Sequence, residues 1–289
     1  MNFLSVFDGI SCGHIAAERA GITVDNYFAS EIKNIAIKTT QRNYPNTIQI
    51  GDICKVSYKD GVLHTENGDY ETTIDVLIGG SPCQNFSFAN SHQTSDNYGL
   101  NGEKSRLFFE FLRLKNEINP KYFLLENVKM KKDSEEQLSQ YLGVDSICIN
   151  SNLVSYQNRS RLYWTNIPNV TTPEDREINF QDYKDTNLER LEEAKVNKTP
   201  SRELMWGGKC ANVTNAKKVN CLTRKQDRWN NSGLIEYKDF CRFLTRRELE
   251  LAQTLPAGYC DNLSFNQVQD VTGDGWTVDV IAHIFKGLK

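Results

Sequence analysis

Cys83 stands in GGSPCQNFS (79–87), directly after the apolar run DVLI. A thiol in a glycine-rich loop at the carboxyl edge of a sheet is placed to react, whereas a core thiol sits within a strand. A free cysteine with a pKa near ~8.5 is only a few per cent thiolate at neutral pH. A nucleophilic Cys83 therefore needs a site that lowers its pKa or takes up its proton during attack. Glu126 ends the apolar run of LLENV (124–128). Partial desolvation raises a carboxyl pKa and suits such a group to donate a proton; the plainer reading is a helix N-cap or a structural hydrogen bond. In QNRSRLYW (157–164), Arg159 and Arg161 are two apart at the start of a strand, a spacing that points both the same way. With no acid nearby in sequence, they read as contacts to an anion or to a base edge, or as a solvated charge pair.

A different chemistry is written into FDGISCG (7–13), which lies between a strand and a helix. Glycine lets the backbone approach a ligand there, and the helix N-terminus offers free N–H groups. Glu31 follows YFAS, and Asp52 stands in GDI. A carboxylate after the second strand of such a sheet commonly holds a ribose hydroxyl pair. Each acid alone is a cap or a solvated loop residue. Together with the turn they describe a nucleoside cofactor lying across the carboxyl ends of the strands.

The elements that must position these residues alternate. Strands are expected at Asn2–Phe7, Thr23–Ala29, Thr47–Ile50, Ile74–Ile78, Tyr122–Leu125, Ser146–Ile149 and Leu162–Thr165. Helices are expected at Gly13–Ala20, Ile32–Arg42, Ser105–Ile118 and Ser134–Leu142. Runs such as VLI (76–78) and YFLL (122–125) are continuously apolar, as when both faces of a sheet are covered. The pattern predicts an α/β fold with a doubly wound sheet. Residues 168–240 are polar and rich in Pro, Gly, Asn and Lys, and read as a small loop-rich insert; 1–167 and 241–289 would form the main domain. Thr245 and Glu248 have capping-box spacing at the start of a helix, and a last helix runs from about Trp276 to Phe285.

Composition narrows the class. With 39% hydrophobic and 25% charged residues, the 289-residue chain is neither fibrous nor strongly disordered. No stretch of ~18 apolar residues is present, so no membrane span is expected. MNFLSVFDGI lacks a basic n-region and reads as a strand rather than a signal peptide. Eight cysteines form no Cys-x-x-Cys pair and only four His occur, so no metal site is expected and the thiols read as reduced in a cytoplasm. The net charge of −3 argues against a nucleic-acid partner, yet it is uneven. Lys195–Arg247 holds 13 Lys or Arg against 4 Asp or Glu.

FDGISCG, SE (30–31), GDI, GGSPCQ, ENV, QNRSR, RFLTRRELELAQTLPAGY and GDGWTVDVIAHIF occur in this order across nearly the whole chain. The set resembles the cytosine-carbon-5 DNA methyltransferase family. Within it, the sequence is most similar to the catalytic domain of the animal de novo DNA methyltransferases. That likeness rests on FDGI, YFASE, GGSPC, SRLFFEF, ENV followed by Met130, and the Gly-x-x-Trp-x-Val ending at 273–278. Those enzymes carry large regulatory regions that this sequence lacks, which points to a bacterial or phage source and a cytoplasmic enzyme.

The resemblance implies a Rossmann-like S-adenosylmethionine-dependent sheet with 168–240 as a small target-recognition region. It implies double-stranded DNA as partner and S-adenosylhomocysteine as product. Cys83 matches the nucleophile that adds to carbon-6 of cytosine. Glu126 matches the residue that contacts the ring nitrogen and exocyclic amine, and Arg161 and Arg159 match residues that hold the base oxygen and the catalytic loop. Water is the usual base for the last deprotonation. Phe7, Asp8, Gly9, Ile10, Glu31, Ile32, Asp52, Ile53, Gly80, Pro82, Trp276 and Val278 match cofactor-contacting positions: Phe7 on the adenine, Glu31 on the ribose hydroxyls, Asp52 on the exocyclic amine. Ser11 and Cys12 stand where many bacterial members have Gly-Gly, and Asp279 replaces a proline common in the de novo branch. Gln84, Ser87, Gln157, Arg224 and Arg228 match nucleic-acid contacts. Loop 86–104 is suited to close over a base flipped out at a cost of a few kcal/mol. Arg224 matches a guanine reader, a contact giving ~1–3 kcal/mol of discrimination; plain phosphate binding is its alternative. Three other readings stay open: action on tRNA, transfer of a group other than methyl, and a catalytically dead homologue, against which both Cys83 and Glu126 speak.

Overall fold

The structure is a computed structural model that describes residues 1–82, 106–200, 202, 211–227 and 231–289. The strand–helix alternation folds as β1 (Asn2–Val6), α1 (Cys12–Arg19), β2 (Asn26–Ser30), α2 (Asn34–Asn43) and β3 (Ile48–Gln49). Three short strands follow: β4 (Ser57–Lys59), β5 (Val62–Thr65) and β6 (Gly68–Glu71). Then come β7 (Val76–Gly80), α3 (Arg106–Ile118), β8 (Tyr122–Val128), α4 (Lys132–Leu142), β9 (Ser146–Asn150) and β10 (Ser160–Thr165).

Seven of these strands form one sheet in the order β3-β2-β1-β7-β8-β10-β9. β1 pairs in parallel with both β2 and β7, β7 in parallel with β8, and β10 runs antiparallel to β8. This is the expected doubly wound α/β sheet. The chain winds outward from β1 to β3 and then returns to place β7 on the other side of β1. The carboxyl ends of β1 and β7 therefore flank a topological switch point, where such sheets bind ligands.

Apolar alternation fixes the two faces. Leu4, Val6, Phe28, Leu77 and Leu125 share a core with Phe108, Phe111 and Leu114 of α3 and with Leu138 and Leu142 of α4. Phe3 instead meets Tyr27 and Phe285, with ring centroids 6.1 and 5.8 Å away. β7 lies so close to β1 that a Cβ on Gly79 would stand 2.7 Å from Val6 Cγ2 and 3.1 Å from the Phe111 ring. Only glycine fits there.

Two features of these elements depart from the sequence reading. β4–β5–β6 form a separate antiparallel sheet where no strands were expected. Asp60 and Gly61 at its first turn have φ of 51° and 84°, the left-handed pair of a tight hairpin. β8 also runs past Leu125 to Val128, because β10 pairs with it residue by residue from Leu124 to Val128. Glu126 thus lies inside the strand and caps no helix.

By internal contacts the chain divides into two units. The first comprises Met1–Ile149, Ser160–Thr172 and Ala282–Lys289. The second comprises Asn150–Arg159 and Pro173–Ile281, which takes in 168–240 beyond Thr172 together with sequence on both sides of it. The second unit holds a small sheet of β11 (Lys195–Asn197), β12 (Ile235–Glu236) and β13 (Phe240–Arg242). Its helix Arg246–Ala252 opens with the expected Thr245–Glu248 capping box. A second capping box, Ser264 with Gln267, starts a helix at Phe265–Asp274 that the sequence reading passed over. The last helix spans Val278–Phe285. No helix among the described residues is long and apolar enough to cross a membrane.

Candidate active site

At the carboxyl end of β1 the backbone turns through three left-handed residues: Phe7 at φ 57°, Gly9 at 62° and Ser11 at 56°. Two of these are not glycine, and each such residue costs on the order of 1–3 kcal/mol unless its surroundings over-determine it. The surroundings do so. The Ser11 hydroxyl donates to Asp8 Oδ2 and lies 3.0 Å from Thr40 Oγ1. Tyr27 donates to Asp8 Oδ1 at 2.9 Å. Burial lifts the Asp8 carboxyl to about 6, against the pull of hydrogen bonds from Ser11, Ser5 and Tyr27. The Asp8 side chain thus faces Ser11 and Tyr27. Phe7 packs against the core, Ile10 is buried, and Ile32 is 73% exposed.

The end of β2 is tied to this turn. Glu31 Oε2 accepts from Gly9 N at 2.8 Å, and Oε1 accepts from Ile32 N and Lys33 N at 2.8 and 2.9 Å. A Cβ on Gly9 would meet nothing within 4 Å, so the turn opens onto free space beside a fixed carboxylate. Asp52 caps the short turn Ile53–Lys55 by accepting from Cys54 N at 3.0 Å, with Ile53 buried. The tip of the β5–β6 hairpin steadies this loop: Asn67 Nδ2 donates to Gln49 O at 2.8 Å, and Glu66 pairs with Lys55 at 2.5 Å. Glu66 and Asn67 were missed in the sequence. Their signal was the Asn67-Gly68 turn dipeptide. An open glycine, an exposed isoleucine and two anchored carboxylates at a switch point suit a nucleoside with free ribose hydroxyls.

The ends of β7 and β8 form the other half. Gly80 stands opposite Glu126 in the ladder. Ser81 is buried and accepts at Oγ from Asn127 Nδ2 at 3.0 Å, while Asn127 Oδ1 takes Val128 N at 2.8 Å. Asn127 therefore anchors the Gly80–Pro82 run that leads into Cys83, a role the sequence reading left unassigned although it quoted ENV. Cys83, Gln84, Ser87 and loop 86–104 lie outside the described residues, as does Arg228.

Arg161 Nε lies 3.0 Å from Glu126 Oε1, with the two side chains 14% and 11% exposed. The acid absent near Arg161 in sequence comes from the neighbouring strand: Arg161 pairs with Val128 in the ladder, so Glu126 is its diagonal neighbour. Arg159 does not share that face, because β10 begins only at Ser160. It is buried, and its guanidinium donates to Leu222 O at 3.0 Å, Gly273 O at 3.2 Å and Gly275 O at 3.0 Å. The expected matched pair of arginines is thus one carboxylate partner and one backbone clamp.

Within the second unit, Gln157 is fully buried. It donates to Ala252 O at 3.0 Å and accepts from Leu222 N at 2.8 Å, so its amide is engaged inside the protein. Val278 is buried with its N–H on Gln253 O at 3.0 Å, and Trp276 is half-buried. Asp279, at the proline position, uses the N–H that proline lacks, donating to Thr254 Oγ1 at 2.9 Å. Arg224 is 60% exposed, with Nε on Asp270 Oδ1 at 3.0 Å.

The basic run is less available than its count suggests. Lys195, Lys198, Arg202, Arg224, Arg242 and Arg246 each pair with an acid of the same unit. The flanking stretches 173–194 and 248–281 carry 14 Asp or Glu against 3 Lys or Arg. The second unit as a whole is therefore close to neutral.

A profile of the C-5 cytosine-specific DNA methylase family matches residues 1–201, and the chain belongs to that family. It is 32% identical over 153 residues to the type II methyltransferase M.NgoBV of Neisseria gonorrhoeae, covering 50% of this chain and 33% of that one. It is 36% identical over 128 residues to M.Eco47II of Escherichia coli, covering 44% and 27%. The matched stretches thus span between a quarter and a third of these relatives' length. The fold resembles that of the Entamoeba histolytica methyltransferase EhMeth, with a TM-score of 0.76 at 19% identity over 100% of this chain and 99% of that one.

Proposed function

We propose that this chain is a DNA (cytosine-5) methyltransferase that uses S-adenosylmethionine. The observation that carries the reading is the β7–β8 edge. Glu126, paired with Arg161, stands opposite Gly80, three residues before Cys83 in sequence, and Asn127 anchors the intervening Ser81. A largely buried carboxyl group beside the strand end that leads into Cys83 suits addition to a pyrimidine ring.

Carbon-5 of cytosine is a poor nucleophile until a thiolate adds to carbon-6. Cys83 forms that bond, and the electron pair of the 5,6 double bond is pushed toward carbon-5. Glu126 holds or protonates the ring nitrogen and so favours the adduct. Arg161 orients Glu126 and reaches the base oxygen; Arg159 acts by clamping the chain just before Ser160. When bound, S-adenosylmethionine supplies an electrophilic methyl group. Once carbon-5 is methylated, loss of its proton to water and departure of Cys83 as thiolate restore the double bond. Phe7 would stack on the adenine, Glu31 take the ribose hydroxyls and Asp52 the exocyclic amine, with Gly9, Ile10, Ile32, Ile53, Gly80, Pro82, Trp276 and Val278 completing the site.

The type II methyltransferase relatives support duplex DNA as substrate. Residues 1–167 and 241–289 serve as the catalytic domain and 168–240 as the target-recognition region, with Arg224 on guanine and Gln84, Ser87 and Arg228 on the nucleic acid. The enzyme would act in the cytoplasm of a bacterium or phage-infected cell. Incubation with methyl-labelled S-adenosylmethionine and either duplex DNA or tRNA tests this. The expected product is labelled duplex DNA whose nucleosides have the mass of 5-methylcytosine. Label in tRNA alone, or a transferred group of another mass, would overturn it.

A further inference from the structure

The turn Phe7–Ser11 holds three left-handed residues in five, and what holds it is a side chain that faces inward. Asp8 accepts from Ser11, which sits at the N-cap of α1, and from Tyr27 on β2. Each contact ties the turn to a different wall. Ser11 reaches Thr40 on α2 at 3.0 Å. Tyr27 is held on its face by the His14 ring at 4.6 Å, which stacks in turn on Tyr44 at 4.0 Å. The same five residues carry Phe7 and Gly9, and Gly9 N anchors Glu31.

Resting on the function proposed above, we infer that Asp8 is a positioning residue for cofactor binding: its carboxylate locks the Phe7–Ser11 turn in the left-handed form that presents Phe7, Gly9 and Glu31 to the adenosyl group. The Asp8 side chain contributes by holding the turn, its two oxygens being engaged by Ser11 and Tyr27. An ionised carboxylate accepts from both hydroxyls at once with charge-assisted bonds. A protonated Asp8, or an asparagine, must turn one hydroxyl round and hold the turn less firmly. Cofactor affinity therefore follows the ionisation of Asp8. The groups that set that ionisation are Ser5 on β1, Tyr27 on β2, Ser11 beside the turn and the Glu31 carboxylate, the last of which raises it. Cys12 acts on Tyr27, and the His14 ring stacks on it.

The test is the dissociation constant of S-adenosylhomocysteine, measured by calorimetry between pH 5 and 8, with thermal melting of the ligand-free chain alongside. The unaltered chain should bind with constant affinity well above pH 6 and weaken several-fold as pH falls through about 6, levelling off near the affinity of Asp8→Asn. Asp8→Asn should be flat across this range and several-fold weaker at pH 8. Asp8→Ala should be flat and weaker still, so that the asparagine variant is a partial rescue. Melting of the ligand-free Asp8→Asn chain at pH 8 should not fall, because the variant removes a carboxylate that burial disfavours. Retention of the pH slope in Asp8→Asn would assign it to another group and overturn the inference. So would unchanged affinity in Asp8→Ala. Failure of the unaltered chain to bind at any pH would instead overturn the proposed function itself.

Discussion

Each unit contains an arginine–glutamate pair, and the two pairs differ in burial and in bonding. In the first unit, Arg161 Nε lies 3.0 Å from Glu126 Oε1, and both side chains keep 11–14% exposure. In the second, Arg242 and Glu248 are fully buried and joined by bonds of 2.7 and 2.9 Å. Glu248 further accepts from Asp185 N and Thr245 N, each at 2.8 Å. On the function proposed above, the carboxylate of the first pair serves chemistry and keeps some access to solvent, which the second lacks. A carboxylate that builds a fold satisfies its lone pairs internally, because an unpaired buried charge is costly.

That contrast can be broken from either side. The largest effect should come from the first pair: Glu126→Gln should lower methyl transfer to DNA by a factor on the order of 10²–10⁴ while urea unfolding shifts by less than ~1 kcal/mol. Equal losses of rate and stability would make Glu126 a fold residue. For the second pair the signature reverses. Glu248→Gln leaves Arg242 buried without its full partner, and unfolding should be easier by ~3–5 kcal/mol, with any activity lost only as the folded fraction falls. A neutral result in chemical denaturation would mean that Arg242 finds other acceptors.

A smaller effect lies at the edge of the same buried network. Burial pushes the Asp185 carboxyl up, but bonds from Arg190, from Asn187 N and from Thr245 outweigh it and hold it well below its usual 3.8. A depressed carboxylate contributes stability that is present above its unfolded pKa and lost as pH falls below it. Circular dichroism during acid titration should show stability declining from about pH 4 downward, and Asp185→Asn should flatten that decline. The smallest stability change belongs to the exposed pair of Arg224 and Asp270. Arg224→Ala should alter folding by less than ~1 kcal/mol, yet cost ~1–3 kcal/mol of discrimination at a guanine beside the methylated cytosine. Uniform weakening over all sequences would make Arg224 a phosphate contact.

The same contrast explains what the sequence disclosed. All seven strands of the main sheet and its four helices stand where apolar runs and helical periodicity place them, because a doubly wound sheet buries whole runs. Phe7, Glu31 and Gly80 are placed by the ends of β1, β2 and β7, so their positions follow from the strands. Partnerships that depend on strand direction or on distant backbone were hidden. Glu126 and Arg161 are 35 positions apart and meet only because β10 runs antiparallel to β8. The carbonyls that hold Arg159 come from residues 222, 273 and 275. In the second unit a charge count misled, since Arg242 adds to the basic total yet is wholly buried. The β4–β5–β6 sheet was legible in principle from its Asp60-Gly61 and Asn67-Gly68 turns.

The central claim, that Cys83 and the Glu126 edge methylate cytosine in DNA, is tested most directly by bisulfite sequencing of DNA from cells expressing the chain. The expected result is protection of cytosines in one fixed sequence context, absent from cells expressing Cys83→Ser. No protected context, or the same context with Cys83→Ser, would contradict it.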